Sequence, residues 1–213
     1  MNRVKVISVS QPVIEDIGTP DDIIAYTARV SNPTNQKNTL TAPKLLKYLK
    51  EHKHWSPFEM AHCVMEVNTT RDIARQILRH RSFSFQEFSQ RYQKVTGFEQ
   101  REARLQDTEN RQNSLETQDK DLMDWWIEGV DAITDYTNKF YSEALAKGIA
   151  KEQARAVLPE GLALSRLYVA GNVRSWIHYC QLRMGPETQK EHREIATECW
   201  EKLLEHFPSL RED

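Results

Sequence analysis

Apolar positions along the chain change period several times, and each change marks an element. Residues 3–9 alternate, with Val4 and Val6 against Lys5 and then Ile7 and Val9, which predicts a short strand. Alternation returns at 60–68. Ala61, Cys63, Met65 and Val67 share one face there, and His62, Glu66 and Asn68 share the other, the pattern of a half-buried strand. Helical spacing intervenes twice. Thr19-Pro20-Asp21-Asp22 is a helix start: a hydroxyl cap, a proline in the first turn, and acids at the positive end of the helix dipole. This helix carries Ile23, Ile24 and Tyr26 to about Ser31, where Asn32-Pro33 breaks it. Thr41-Ala42-Pro43 opens a second helix with Leu45, Leu46 and Leu49, ending in Glu51-His52-Lys53-His54.

After the second strand, Thr69 or Thr70 caps a helix expected to run through about Arg81. Residues 99–124 hold few apolar side chains (Ala103, Leu105, Leu115, Leu122 and Met123) and read as a long exposed excursion, either functional or mobile. Trp125 to Lys147 has the spacing of a long amphipathic helix, with Trp125 and Trp126 in its core face and Gly148 as its stop. A short helix over 151–158 stops at Pro159. Leu162 to Val169 fits either a strand or a buried turn. Asn172 to Arg183 and Glu187 to His206 read as helices, the last burying Ile195, Cys199, Leu203 and Phe207.

Glycine and proline total only 7 and 8 among 213 residues, which disfavours a turn-rich all-β fold. The pattern therefore predicts a helix-rich α/β chain of the α+β type, one domain over 1–213 around a small, mostly antiparallel sheet. A formal net charge of −2 argues against a general nucleic-acid binder, and no run is apolar enough to cross a membrane. The N-terminus reads as a strand and not a leader. Three cysteines without C-x-x-C spacing fit a reducing cytoplasm and give neither a disulfide framework nor a zinc site. Cys63 and Cys199 lie on apolar faces, a poor setting for a thiolate nucleophile. His52, His54 and His62 have no metal-binding spacing, and no metal is expected. There is no Gly-rich phosphate loop of the Rossmann or Walker kind.

Candidate chemistry concentrates in Thr70–Tyr92. Arg71, Arg75, Arg79, Arg81 and Arg91 stand there against only Asp72 and Glu87, a local net of +3. On a continuous helix Arg71, Arg75 and Arg79 stack on one face, where like charges repel by a few tenths of a kcal/mol per pair. A stripe that costs stability invites an anionic partner, and the planar arginine fork suits phosphate. Arg79-His80-Arg81 adds a group that titrates near neutral pH when unperturbed. Ser82, Ser84, Gln86, Glu87 and Ser89 follow, interleaved with Phe83, Phe85 and Phe88. The array suits a phosphorylated, planar ligand. A second reading of the same stretch is a module that holds single-stranded RNA on the Arg71–Arg91 basic and aromatic groups.

Arg79-His80-Arg81, seven residues, then Ser89 and Arg91 resembles the signature of the flavin-dependent thymidylate synthases. Further segments resemble the same family in order: Ala28-Arg29-Val30-Ser31, His54-x-Ser56-Pro57-Phe58-Glu59, Ala74-Arg75-Gln76, Ala154-Arg155-x-Val157-Leu158-Pro159, and Asn172-x-Arg174-Ser175 through Leu182-Arg183. The resemblance implies the thymidylate synthase-complementing fold and methylation of the uracil ring of dUMP to give dTMP. It implies methylenetetrahydrofolate as carbon donor, NADPH as reductant through FAD, and a homotetramer whose active sites draw on several chains. By position, Ser31, His54, Ser56, Arg79, His80, Arg81, Glu87, Asn172, Arg174 and His178 are the candidates for FAD. Gln76, Arg79, Glu87, Phe88, Ser89, Gln90, Arg91, Arg155 and Arg183 are those for dUMP. Within that set Arg183 would face the uracil ring, Arg91 and Arg155 would lie towards phosphate, and Ser89 would orient the pyrimidine. Arg183 and Ser89 are the catalytic candidates. Arg166 has no such match and reads as structural.

Overall fold

The computed structural model describes residues 3–211. Four strands form an antiparallel sheet in the order β1 (Val4–Val9), β2 (His62–Thr70), β6 (Leu164–Asn172), β3 (Ser84–Glu87). The α-helices are α1 (Pro20–Ala28), α2 (Ala42–Glu51), α3 (Arg71–Ile77), α4 (Lys120–Ala146), α5 (Lys151–Ala154), α6 (Val173–Arg183) and α7 (Lys190–His206).

The sheet has one dry face and one wet one, as the alternation requires. Cys63, Met65 and Val67 on β2 lie in register with Gly171, Val169 and Leu167 on β6, and all are buried. α6 and α7 cover this face with Trp176, Ile177, Ile195, Cys199 and Leu203. The indole of Trp176 donates to the Cys63 carbonyl at 3.0 Å, which satisfies a buried donor inside the core. The other face carries Glu66, Asn68, Arg166 and Tyr168. Arg166 bonds there through Nε to Asn68 Oδ1 at 2.9 Å.

Local signals act as their chemistry dictates. Thr19 and Asp22 form a reciprocal capping box at the start of α1. Lys53, left-handed at φ 58°, turns the chain out of α2, and the His54 amide reaches back to the Leu49 carbonyl at 2.8 Å. Asn172 caps α6, its Oδ1 accepting from the Ser175 amide at 2.8 Å.

Several expectations are overturned. The helix after Thr70 stops at Ile77 and does not reach Arg81, so Arg79 leaves the face of Arg71 and Arg75, and the Thr70 hydroxyl bonds Asp72 and Arg101 and makes no cap bond. The cause is tertiary. Phe83 is buried against Trp176, ring centroids 4.6 Å apart, and His80 meets Tyr179 edge-on at 4.9 Å. Both contacts require the chain to leave the helix and enter β3, a strand the sequence did not disclose. Leu164–Asn172 settles the ambiguous segment as a strand. The short helix is confined to Lys151–Ala154, with a 3₁₀ turn over Arg155–Val157. The polar excursion contains a hairpin, β4 (Arg104–Gln106) with β5 (Ser114–Glu116), and α4 already begins at Lys120. Trp125 and Trp126 are not core. They are 67% and 38% exposed, because α4 turns Val130, Thr137 and Tyr141 inward instead.

Gly171 is placed where β6 passes under Phe83. A Cβ there would lie 2.3 Å from the Phe83 ring. Gly171→Ala is expected to lower stability by about 1–3 kcal/mol through overpacking. Urea denaturation checks it: an unchanged midpoint would show that the ring has room to move.

Candidate active site

The site residues fall into four groups, each set by a different element. The first sits where the turn after α3 meets the end of α6. Arg183, in the last turn of α6, donates from Nε to His80 Nε2 at 2.9 Å. Burial, then the charges of Arg183 and Arg79, push the His80 pKa down to about 4. His80 is therefore a neutral ring at pH 7, and it carries its proton on Nδ1. The cationic character of Arg79-His80-Arg81 comes from its two exposed arginines alone, neither of which has an ion-pair partner among the described residues. Gln76, in α3, lies just behind. Its amide donates to Gln189 Oε1 at 2.8 Å, and its own Oε1 is 3.2 Å from His192 Nδ1.

The second group surrounds β3. Glu87 Oε1 accepts from Ser165 Oγ at 3.0 Å and pairs with Arg71 Nη1 at 3.4 Å. Ser89 Oγ accepts from the Arg91 amide at 3.4 Å. A carboxylate engaged in this way is not a base for Ser89, so the hydroxyl is suited to orienting a ligand and not to attacking it. Phe88 lines a cleft of about 750 Å³ with Asn68, Ser165 and Arg166, and Gln90 is buried nearby with its Nε2 unpartnered.

In the third group Arg91 and Arg155 meet at one residue. Arg91 Nε lies 3.7 Å from Glu152 Oε2, and Arg155 Nε donates to the Glu152 carbonyl at 3.4 Å. Arg91 faces the half-exposed Glu152 carboxylate and Arg155 the main chain of the same residue, so a phosphate that displaces the carboxylate meets two cations.

The fourth group flanks the start of α6. Trp55 packs edge-on against His178, centroids 4.7 Å apart, and Arg174 ion-pairs with Glu59. Burial and Arg174 lower the His178 pKa. His54 is exposed beside Tyr48, Ser56 opens the 3₁₀ turn Ser56–Glu59, and Ser31 is exposed beyond α1. Asn172 is already committed to its cap.

Within one chain the first and fourth groups lie on different faces of α6. Arg174 and His178 are four residues apart and share a face of α6, whereas Arg183 is nine residues from Arg174, about half a turn round the helix. The arginine stripe also fails to form a cationic surface, since Arg71, Arg75 and Arg91 pair with Glu87, Glu160 and Glu152. A long polyanion finds no continuous basic track there, against the RNA-binding reading. The three cysteines are buried and unbridged, and burial pushes the Cys63 thiol up to about 12 and raises the other two above the usual thiol range. Among the described residues no His, Cys, Asp and Glu cluster is arranged for a metal, and no helix is long and apolar enough to cross a membrane.

Gln189, Glu191, His192, Arg101 and Arg104, all joined to the first group, went unread in the sequence. Arg101 and Arg104 lie in the polar excursion and Glu191 in the first turn of α7; their contacts span dozens of residues and leave no periodic trace.

A sheet with one helix-covered face defines an α+β protein, and exposed Arg79 and Arg81 flank a neutral His80 at its helix ends. Residues 12–209 match the family described as thymidylate synthase complementing protein. The chain is 49% identical over 207 residues to the probable flavin-dependent thymidylate synthase of Paramecium bursaria Chlorella virus 1, covering 97% of this chain and 95% of that one. It is 49% identical over 210 residues to the flavin-dependent thymidylate synthase of Synechocystis, covering 97% and 96%. Among solved structures it resembles a UMP/dUMP methylase, PolB, from Streptomyces cacaoi, bound with 5-Br dUMP, with a TM-score of 0.82 at 25% identity over 97% of this chain and 91% of that one. The chain belongs to the thymidylate synthase complementing family of flavin-dependent thymidylate synthases.

Proposed function

We propose that the chain methylates the uracil ring of dUMP to give dTMP, taking carbon from methylenetetrahydrofolate and reducing equivalents from NADPH through FAD, as one domain over residues 1–213 in the cytoplasm. The observation that carries this reading is the Arg183–His80 pair beside Arg79 and Arg81, in a chain 49% identical to named members of the family.

The residues fit an anionic dinucleotide. Arg79 and Arg81 offer unpaired guanidiniums, neutral His80 has an Nδ1–H to donate, and Trp55 with His178 offers ring faces. These groups, with Ser31, His54, Ser56, Glu87, Asn172 and Arg174, would hold FAD, which supplies hydride chemistry when bound. Arg91 and Arg155 hold the dUMP phosphate, which displaces the Glu152 carboxylate from Arg91. Gln76, Phe88, Ser89 and Gln90 position the nucleotide. Uracil activated at C5 gathers negative charge on its N3–O4 edge. The Arg183 fork, whose orientation the His80 ring fixes through Nε, stabilises that charge without exchanging a proton. No thiolate is needed, in keeping with three buried, high-pKa cysteines.

The separation of the first and fourth groups supports shared sites in a homotetramer. So does α4, where Trp126, Ile133, Tyr136 and Phe140 form an exposed stripe at coiled-coil spacing. Gel filtration with light scattering, after reconstitution with FAD, tests both parts. Flavin absorbance is expected to travel with a peak of four chains' mass, and that peak should convert dUMP to dTMP. A colourless, single-chain peak would overturn the reading.

A further inference from the structure

The hydrogen bonds around Gln76 have a sense that can be deduced from one end. Glu191 is buried at the start of α7, with Arg101 at 3.0 Å and Arg104 also paired to it. Its pKa is lowered despite its burial, Arg101 being among the groups responsible, so it is a carboxylate and can only accept. Gln189 Nε2, 2.9 Å from Glu191 Oε2, must therefore be the donor. That turns Gln189 Oε1 towards Gln76, whose Nε2 must donate to it. Gln76 Oε1 then faces His192 and must accept from Nδ1–H. His192 is fully buried and neutral, so its Nε2 is left to accept from the Tyr179 hydroxyl at 3.1 Å. Every step runs the same way, from Tyr179 to Glu191. An amide alone could sit either way round, since its oxygen and nitrogen are nearly equal in shape. The carboxylate removes that freedom.

We infer that Glu191, Gln189 and His192 are positioning residues, which lock the Gln76 amide so that it presents an N–H donor, and not its carbonyl, to an acceptor oxygen of the nucleotide. One Gln76 N–H is held by Gln189 and its carbonyl already takes the His192 proton. The second N–H has no partner among the described residues, and an unmade donor is the costly kind of vacancy for a half-buried amide. The inference rests on the reading above that Gln76 touches dUMP. The acceptor is an oxygen of the phosphate or a carbonyl of the base, and both present the same lone pairs.

The clamp also gives the polar excursion a task. Arg101 and Arg104 come from it, and through Glu191 they hold the amide three bonds away.

Calorimetric titration of the FAD-reconstituted full-length protein with dUMP and with deoxyuridine tests the inference. Gln189→Leu, at the edge of α7 and away from the core, is expected to weaken dUMP about tenfold, the size of one hydrogen bond. Glu191→Gln keeps the shape but frees the polarity, and should do the same. The deciding measurement is the double variant. In a Gln76→Ala background, Gln189→Leu should cause no further loss, because it acts only through that amide. If Gln189→Leu leaves dUMP affinity unchanged, or weakens it equally with and without Gln76, the inference is overturned while the role of Gln76 stands. If Gln76→Ala alone leaves dUMP affinity unchanged, the assignment of Gln76 to the nucleotide falls, and the inference with it. Deoxyuridine sorts the acceptor: a tenfold loss shared by the nucleoside supports a base carbonyl, and a loss confined to dUMP supports the phosphate.

Discussion

Arg183→Ala is expected to lower dTMP formation by roughly 10²–10³-fold, the cost of removing one preorganised donor to a developing negative charge, while FAD still travels with the protein. The side chain ends α6 and is half-buried, so its loss opens no large cavity. Its Nε is fixed on His80, which leaves the two terminal nitrogens for a ligand edge. Arg183→Lys should recover little, because a point charge cannot serve as both a tether to His80 and a fork towards uracil. Ser89→Ala should cost less, about 0.5–1.5 kcal/mol, as one neutral hydrogen bond. A spectroscopic signature accompanies the kinetic one. Arg183 is one of the charges holding the His80 pKa near 4, so in Arg183→Ala the His80 ring should titrate at higher pH by NMR. Turnover within a few-fold of the parent would remove Arg183 from the uracil edge.

Acid is expected to destabilise the protein well before its carboxylates are protonated. His192 is fully buried, and burial followed by the charges of Arg183 and His80 sets its pKa at about 3 against an ordinary 6.5. Between those values the unfolded chain binds a proton that the fold does not, so stability is level above about pH 7 and falls as pH drops. For His192 the loss is about 2 kcal/mol by pH 5. His80 acts in the same direction, by less, because water reaches it. The interval from pH 7.5 to 5 lies above the usual carboxylate range, so the signal belongs to the histidine rings, with half-buried His178, whose pKa burial and Arg174 also lower, adding in the same direction. Urea midpoints compared at the two pH values measure it; equal midpoints would mean that the folded protein accepts the protons.

The fold was legible wherever a local rule governed it. Alternation at 61–67 identified β2, and the Thr19–Asp22 box identified α1, because neighbours in sequence make those contacts. β3 was missed although Ser82-Phe83-Ser84-Phe85-Gln86 alternates, because the alternation is only a few residues long and the strand pairs only at the sheet edge with β6. Trp125 and Trp126 were misplaced because an amphipathic stripe shows that a face is to be covered, not by which surface. In the site, the gathering of Gln76, Arg79, His80 and Arg183 follows from family-like spacing alone. The neutral charge of His80 does not, since it depends on burial and on an arginine more than a hundred residues away. The same distance hid Glu191, whose partners in the excursion lie 87 residues off in the case of Arg104.

The central strand pair has a consequence for how this protein is made. β2 and β6 face each other from His62 opposite Asn172 to Thr70 opposite Leu164, and the whole of α3, the hairpin, α4 and α5 lies in the loop between them. The first strand depends on the far end as well, its Arg3 and Val4 amides donating to the Glu198 carboxylate. Closing loops of that length costs chain entropy before any contact repays it, which places folding towards the slow end for a chain of this size. During synthesis, Cys63, Met65 and Val67 have no partner strand on one side until residue 172 has emerged, and no complete cover until α7 follows. A ribosome stalled before that point holds an apolar strand with a free edge, the species on which chaperones act.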